Sequence, residues 1–595
     1  MNVLGIAYGH NATVCLVQDG AITFCQSEER FNRIKNSTGF PAQTLDYIYR
    51  HLVPPEKIDL AVLFQESVYG YLFLRRYGFK AFQYGFYLDP SLLVSGLKAR
   101  FLDTDVGWRL WKIRVQTNEK RVRLRDEAMA YYTKELRLPR EKIAFLNHHL
   151  AHAYSVVPAI PNGEETLVFT LDGVGDWTCA TVSRVKSNRV EVLSKTDHQH
   201  SLGYYYAETT GILGMRIGEH EFKVMGLAPY SSKAFYEPIL VELRKLLTVD
   251  DAGQWRGAVK PVALRHALDK VYRFRRFDNV AGAIQALAEE LIQKWVHIWI
   301  RKTGCRNIAV AGGVFLNVKA CQRIAESPEV KSIFVMPSAG DETCALGAAV
   351  WGHLKAAPAS AIKPLEDLYL GVSYTDAEME ETLRSTDAAR RYDIETPERM
   401  SRRVAELLAG NEIVARCTGR MEFGARALGN RSILANPSDF RNVQLINDAI
   451  KCRDFWMPFA PSILEEDMPR YVLRPSLIFA PYMCITFDST DAARRDLTAA
   501  LHPKDKTLRP QAVRKSWNPE YYDLLQEFKA LTGIGGVLNT SFNLHGEPNV
   551  CSPEDAIKTV DRSCLKYLAL GKFLLKKRTD ATPSSQGVSK PLGVV

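Results

Sequence analysis

TLVFTLDGVGDWTCATVSRVKSNRVEVLSK, residues 166–195, decides the fold. TLVFTLDG reads as a strand, GDWTCATVSRV as its partner, KSN as a tight turn and RVEVLSK as a third strand. The N-terminus carries the same plan. VLGIAYG is a strand, HNATVCLV a second, QDG a turn and AITFCQ a third, over residues 3–26. Two strand–turn–strand units in one chain predict a duplicated α/β domain; pattern alone also allows two unrelated hairpins.

Outward from these units, residues 281–354 alternate helix (AGAIQALAEELIQKWVHIWIRKTG), strand (NIAVAGG), helix (VFLNVKACQRIAE), strand (SIFVMP), turn (SAGDE) and helix (TCALGAAVWGHL). That order predicts a parallel or mixed sheet covered by helices. AAPASAIKP breaks the pattern, so a linker is expected over 358–366, between a first part, 1–357, and a second α/β domain, 367–577. The tail, 578–595, is rich in Ser, Pro and Gly and is expected to be disordered. Residues from about 68 to 140 are aromatic and basic (FLRRYGFKAFQYGFY, WRLWKIRV, KRVRLRDEAMAYYTKEL) and read as a helical insertion. It is either amphipathic packing with a solvated basic face or a wall of a substrate pocket.

Composition narrows the classes. Over 595 residues, 46% are hydrophobic and 24% charged, which excludes disorder over most of the length. The 11 cysteines include no CxxC pair, which excludes a disulfide scaffold and favours free thiols in a reducing cytoplasm. Lys plus Arg is 77 against 67 for Asp plus Glu, a net charge of +10. So mild an excess suits phosphates better than nucleic acid. The first residues lack a signal peptide's basic and apolar regions, and no run of about 18 apolar residues exists. A cytoplasmic protein with no membrane partner is expected.

The strongest chemical signal is HHLAH at 148–152. On a helix, His148 and His152 stand at i and i+4 on one face, where two neutral imidazoles can share a divalent metal. Asp172 ends the strand TLVFTLD, and Asp341 follows the strand SIFVMP in SAGDE. Both lie where open α/β sheets place ligands, and the four side chains suit Fe(II), Mn(II) or Zn(II). Each Asp could instead cap a helix. His149 points away from that face and reads as a supporting or solvated residue.

Phosphate signals follow. AGGVFLN, 311–317, lies between strand and helix, and Gly312 and Gly313 would let backbone amides approach a ligand. EFKVMGLAPY places Glu221 and Lys223 beside a Gly turn. GRMEFGARALGNRSILA, 419–435, interleaves Arg420, Arg426 and Arg431 with glycines; Lys451 and Arg453 follow in KCRDFWMPFAPSIL, then RPQAVR and NTSFNLHGEP. Cations at this density, among Gly and Ala instead of Glu, suit a dianionic phosphoryl group.

These motifs, together with GHNAT and SEERFNRIK, resemble the NodU/CmcH family of O-carbamoyltransferases, and the resemblance runs from the first strand to about residue 575. It implies a duplicated ribonuclease H-like, TsaD-like N-terminal domain of the actin/sugar-kinase superfamily, and a YrdC-like α/β C-terminal domain. It implies that the second forms carbamoyladenylate from carbamoyl phosphate and ATP with Mg²⁺, and that the first transfers the carbamoyl group to a hydroxyl of a small natural-product or sugar acceptor. By resemblance, His148, His152, Asp172 and Asp341 are metal ligands, usually for iron. Gly173, Lys223, Gly312, Gly313 and Asn317 fall at the transfer domain's nucleotide. Arg420, Arg426, Arg431, Lys451, Arg453, Arg509, Asn539, Ser541 and Asn543 fall in motifs that contact carbamoyl phosphate or ATP. His10 matches a histidine near the acceptor and is the expected catalytic base, while Asn11 and Thr13 stand where the family usually has Asp and Ser. Two other classes stay open, a tRNA-modifying transferase and a non-catalytic actin-like nucleotide-binding protein; a homodimer is also left open.

Overall fold

β1 (Asn2–Ala7), β2 (Thr13–Gln18) and β3 (Ala21–Ser27) are antiparallel neighbours. β4 (Leu60–Phe64) and β5 (Ile143–Leu146) continue parallel from the other side of β1, giving the order β3-β2-β1-β4-β5. The computed structural model describes residues 1–65, 122–358, 361–473 and 480–578. Of the expected aromatic and basic insertion, the residues before 122 lie outside that set, as does the tail from 579; the helix Val122–Leu136 is described.

The plan then repeats. β6 (Thr166–Gly175), β7 (Thr178–Lys186) and β8 (Arg189–Asp197) form the second antiparallel triplet. After a short ribbon of β9 (Leu247–Val249) and β10 (Trp255–Gly257), β11 (Asn307–Ala311) and β12 (Ser332–Val335) take the places of β4 and β5. The order β12-β11-β6-β7-β8 mirrors the first sheet in sequence and strand sense. The two hairpin units are therefore copies of one topology, and the alternative of unrelated hairpins falls.

Two helices lie between these sheets. Glu342–Ala356 packs on β1, β2 and β4, while His148–Ser155 packs on β6, β7 and β11 and against Glu342–Ala356. Their crossing is close because of glycine: a Cβ on Gly347 would lie 1.7 Å from the Ala151 carbonyl oxygen. β1, β2 and β4 are buried almost throughout, as strands covered on both faces must be. Phe277–Thr303, a 27-residue helix, carries Trp295 onto Phe169 of β6.

The C-terminal part is one mixed sheet. It comprises β13 (Tyr392–Glu395), β14 (Val414–Cys417), β15 (Arg431–Ala435), β16 (Ala460–Leu464), β17 (Gln511–Val513), β18 (Gly536–Ser541), β19 (Tyr567–Leu570) and β20 (Phe573–Lys577). Its order is β13-β20-β19-β14-β15-β18-β16-β17. The whole chain is thus an α/β protein of mixed sheets.

The expected linker is not slack where it is described. Lys363 N donates to Gly20 O at 2.8 Å and Leu365 N to Pro158 O at 2.9 Å. Beyond it, Cys25 N donates to Leu370 O at 3.0 Å, so the edge of the first sheet is covered by chain leading into the C-terminal part. Leu368, Met421 and Phe423 share one core with β1 and β2.

Candidate active site

The helix His148–Ser155 is capped twice. Asn147 Oδ1 accepts from His149 N (3.1 Å) and Leu150 N (3.3 Å), and Asp176 Oδ2 accepts from His148 N at 2.8 Å. The caps fix where the first turn begins, and so where His148 and His152 point. Asp176 and Trp177 both have left-handed φ, 46° and 65°, in the tight turn joining β6 to β7.

Those two rings meet two carboxylates from distant segments. His152 Nε2 lies 3.2 Å from Asp172 Oδ2 and 3.6 Å from Asp341 Oδ1; His148 Nε2 lies 3.7 and 3.6 Å from the same atoms. β6 continues past Asp172, but its register slips between Leu171 and Gly175, and this irregularity frees the Asp172 side chain from the ladder. Gly173 N (2.6 Å) and Gly313 N (3.1 Å) then hold that carboxylate. Asp341 begins the helix Glu342–Ala356 without a side-chain cap, so neither carboxylate has the capping role that the sequence left open. Burial disfavours charge on both, yet the histidines beside them hold both well below the usual carboxylate range.

All four ring nitrogens of His148 and His152 are buried without a hydrogen-bond partner. Two imidazoles, two ionised carboxylates and unpaired nitrogen donors fit a divalent cation. Sequence reasoning missed Cys344, whose sulfur falls within 4.8 Å of ligand atoms of His148, His152 and Asp341. Its signal was its spacing, one helical turn after Asp341. His149 is not solvated. It is buried between Thr170 Oγ1 (2.7 Å) and the Thr178 carbonyl (3.0 Å), and burial, followed by the neighbouring imidazoles, lowers its pKa to about 3.

His10 stands at the rim. Its Nε2 lies 3.0 Å from Asp341 Oδ2 and its side chain is half-exposed. Desolvation lowers its pKa, but the charges of Asp341, Asp172 and Glu342 outweigh that and raise it to about 9. Asn11, in a left-handed conformation, donates from its amide nitrogen to Glu342 Oε2 at 3.3 Å. Glu342 is buried, and an Asp at position 11 would set a second carboxylate against it.

The expected nucleotide turn is used differently. Gly312, at φ 104°, gives its N–H to Ala339 O (2.8 Å), and Gly313 gives its own to Asp172, so these amides shape the cluster. Asn317 caps the helix Val318–Ala325 and exchanges amide hydrogen bonds with Gln285 at 2.9 and 3.0 Å. Gly173 lies beside Gly203, with only Tyr204 near its own missing Cβ. Lys223, on the helix Glu221–Leu227, pairs with Asp454 of the C-terminal part at 3.0 Å.

The C-terminal cations divide into two kinds. Arg431 is fully buried and donates to the carbonyls of Thr418 (2.6 Å), Asn430 (3.0 Å) and Cys551 (3.1 Å). Arg420 donates to Thr23 O at 2.8 Å and Leu370 O at 3.1 Å, across the junction. Lys451 gives its ammonium to Asn543 Oδ1 (2.7 Å), Asn543 O (3.1 Å) and Ser541 Oγ (3.2 Å), fastening the NTSFN turn. Asn539 donates to Ser462 Oγ (2.9 Å) and Ala427 O (3.1 Å) beneath it. These four side chains are spent on contacts within the protein.

Arg426, Arg453 and Arg509 form the other kind. Arg453 reaches Thr540 Oγ1 at 3.0 Å and lies over Phe459. Arg426 and Arg509 have no ion pair or side-chain hydrogen bond among the described residues. Burial, then the charge of the other arginines, lowers Arg453 to about 10 and holds Arg509 well below the guanidinium range; burial lowers Arg426 too. Guanidiniums stay protonated, so this marks repulsion that an anion would relieve.

The loops beneath the two groups touch. Ala425 N donates to Ser338 Oγ at 3.0 Å, and the same hydroxyl donates to Glu342. Arg30, from SEERFNRIK, donates to Gly424 O at 2.7 Å. The loop carrying Arg426 therefore rests on the loop carrying Asp341.

The family model described as Carbamoyltransferase N-terminus matches residues 2–350, and that described as Carbamoyltransferase C-terminus matches residues 405–577. An uncharacterized protein of Synechocystis sp. is 31% identical over 97% of both chains. Nodulation protein NolNO of Sinorhizobium fredii is 31% identical over 96% of this chain and 79% of its own. An uncharacterized protein of Methanocaldococcus jannaschii is 30% identical over 97% of this chain and 99% of its own. Among solved structures, component A of the (R)-2-hydroxyglutaryl-CoA dehydratase of Acidaminococcus fermentans aligns with 60% of this chain and 99% of its own, at 13% identity and a TM-score of 0.32, a likeness too slight to bear on the fold. Matched in both of its parts, and along nearly all its length by relatives, the chain belongs to the carbamoyltransferase family and is a carbamoyltransferase enzyme.

Proposed function

We propose that the chain is an ATP-dependent O-carbamoyltransferase that works in two steps at two adjoining sites. Water cleaves carbamoyl phosphate to carbamate and phosphate; a carbamate oxygen then bonds to the α-phosphorus of ATP as pyrophosphate leaves, giving carbamoyladenylate. An acceptor hydroxyl next bonds to the carbamoyl carbon as AMP leaves. The observation that carries this reading is the contact, through Ser338, of the loop that carries Arg426 with the loop that carries Asp341. A carbamic–phosphoric anhydride hydrolyses in water, and adjoining sites shield it.

Arg426, Arg453 and Arg509 bind the phosphoryl groups and, with Mg²⁺ on ATP, offset their charge. His148, His152, Asp172 and Asp341 would hold a divalent transition metal such as Fe(II), with Cys344 in reach. When bound, that ion supplies Lewis acidity for the carbamoyl oxygen and positive charge beside the carboxylates. His10, held through Nε2 beside Asp341, takes the acceptor's proton as general base. The duplicated topology supports a TsaD-like, ribonuclease H-like first part; the mixed C-terminal sheet is read as YrdC-like.

The test separates the half-reactions. His10→Ala should leave pyrophosphate release from carbamoyl phosphate and ATP intact, and lower carbamoyl transfer by about 10²–10⁴ in rate. Transfer is read by mass spectrometry on a panel of hydroxylated natural products incubated with Fe(II) and Mg²⁺. Loss of both activities together would refute the division of labour.

A further inference from the structure

The loop between the helices Pro261–Tyr272 and Phe277–Thr303 has no evident reason to look as it does. Its residues 273–277 read Arg-Phe-Arg-Arg-Phe, and all five are exposed. Phe274 is 99% exposed and sits in the left-handed region at φ 62°, a conformation uncommon for a bulky residue. Phe277 is 54% exposed.

A single exposed aromatic needs no explanation; this one has company. The helix Lys233–Leu246 runs alongside Phe277–Thr303 in the same direction. Ser231 Oγ bonds Asn279 at their starts at 2.7 Å, and Arg244 bonds Glu290 farther along at 2.7 Å. Phe235, 69% exposed, and Lys233 therefore stand beside the loop. Arg276 pairs with Asp278 at 2.9 Å, but Arg273, Arg275 and Lys233 have no ion pair or side-chain hydrogen bond among the described residues. Two helix N-termini at the same place add positive potential.

We propose that this projection is a peripheral contact for an anionic lipid surface, with Phe235, Phe274 and Phe277 entering the interface and Arg273, Arg275 and Lys233 meeting lipid phosphates. A bilayer accepts aromatic side chains one at a time and attracts cations near its headgroups. A stable contact between copies needs about 800 Å² from each partner, more than a five-residue projection presents. The expectation of no membrane partner rested on the lack of a spanning segment, which does not bear on surface contact; among the described residues no helix is long and apolar enough to cross a membrane.

The test is co-sedimentation of the full chain with vesicles of phosphatidylcholine and phosphatidylglycerol in equal parts, and with phosphatidylcholine alone. Binding should need the anionic lipid and weaken with salt. Phe274→Ser should reduce it about tenfold, and Arg273→Gln and Arg275→Gln about fivefold each. Phe274 packs on nothing that folding needs, so all three variants should keep the wild-type melting temperature and pyrophosphate release. Three results would overturn the proposal: equal binding by wild type and Phe274→Ser, a dimer that Phe274→Ser dissolves, or a gel shift with bulk tRNA that the arginine variants abolish while vesicles go unbound.

Discussion

Arg431 gives its guanidinium to carbonyls of the loop it closes, while Arg426, earlier in the same Gly-rich run, has no such partner among the described residues. Arg431→Leu strands buried carbonyls, so a loss of about 3 kcal/mol or more is expected, read as a lower melting temperature. Arg426→Ala relieves repulsion from Arg453 and Arg509. It should melt no lower than wild type, yet lose binding of inorganic phosphate in calorimetry and pyrophosphate release with it. The sequence predicts phosphate contacts in this run but cannot sort its arginines, since spacing does not say which carbonyls a guanidinium will meet. Lys451 and Asn317 were hidden for the same reason: both have polar ends closed off by partners distant in sequence.

The pair His148 and His152 was legible because helical period alone puts both on one face. Asp172 was read as the end of a strand that in fact runs on to Gly175 with its register slipped, and Asp341 was legible in the turn after Ser332–Val335. What the sequence could not give was the separation of the helices that carry His148 and Asp341, which is set where Gly347 passes Ala151. Gly347→Ala forces the helices apart. A cost of about 1–3 kcal/mol is expected from overpacking, together with reduced metal content by elemental analysis. A retained metal stoichiometry in a destabilised variant would show that the ligands tolerate that displacement. The start of that helix at Asn147 was within reach; the second cap, Asp176, was not, because it comes from a hairpin that the sequence places after a different strand.

The two parts expected from the sequence are joined by much more than a connecting segment. Lys319 Nζ reaches Thr507 Oγ1 at 2.6 Å and pairs with Asp505, and His502 Nε2 meets Gly226 O at 2.9 Å. Burial raises the pKa of Asp505, but His502 and Lys319 override it and hold the carboxyl well below its ordinary value near 4. A carboxyl depressed in the folded state stabilises above its unfolded value, and that stability is lost as pH falls from there through the folded value. Melting temperature should therefore drop below about pH 4. In Asp505→Asn it should start lower at neutral pH and change less over the acid range.

The Ser338 hydroxyl is bonded on both sides, and it holds the loop of Arg426 and the loop of Asp341 at one separation. Under the proposed two-step chemistry, handover distance becomes a property of the fold, the same in every turnover, and a short-lived carbamoyl donor need outlast only that one crossing.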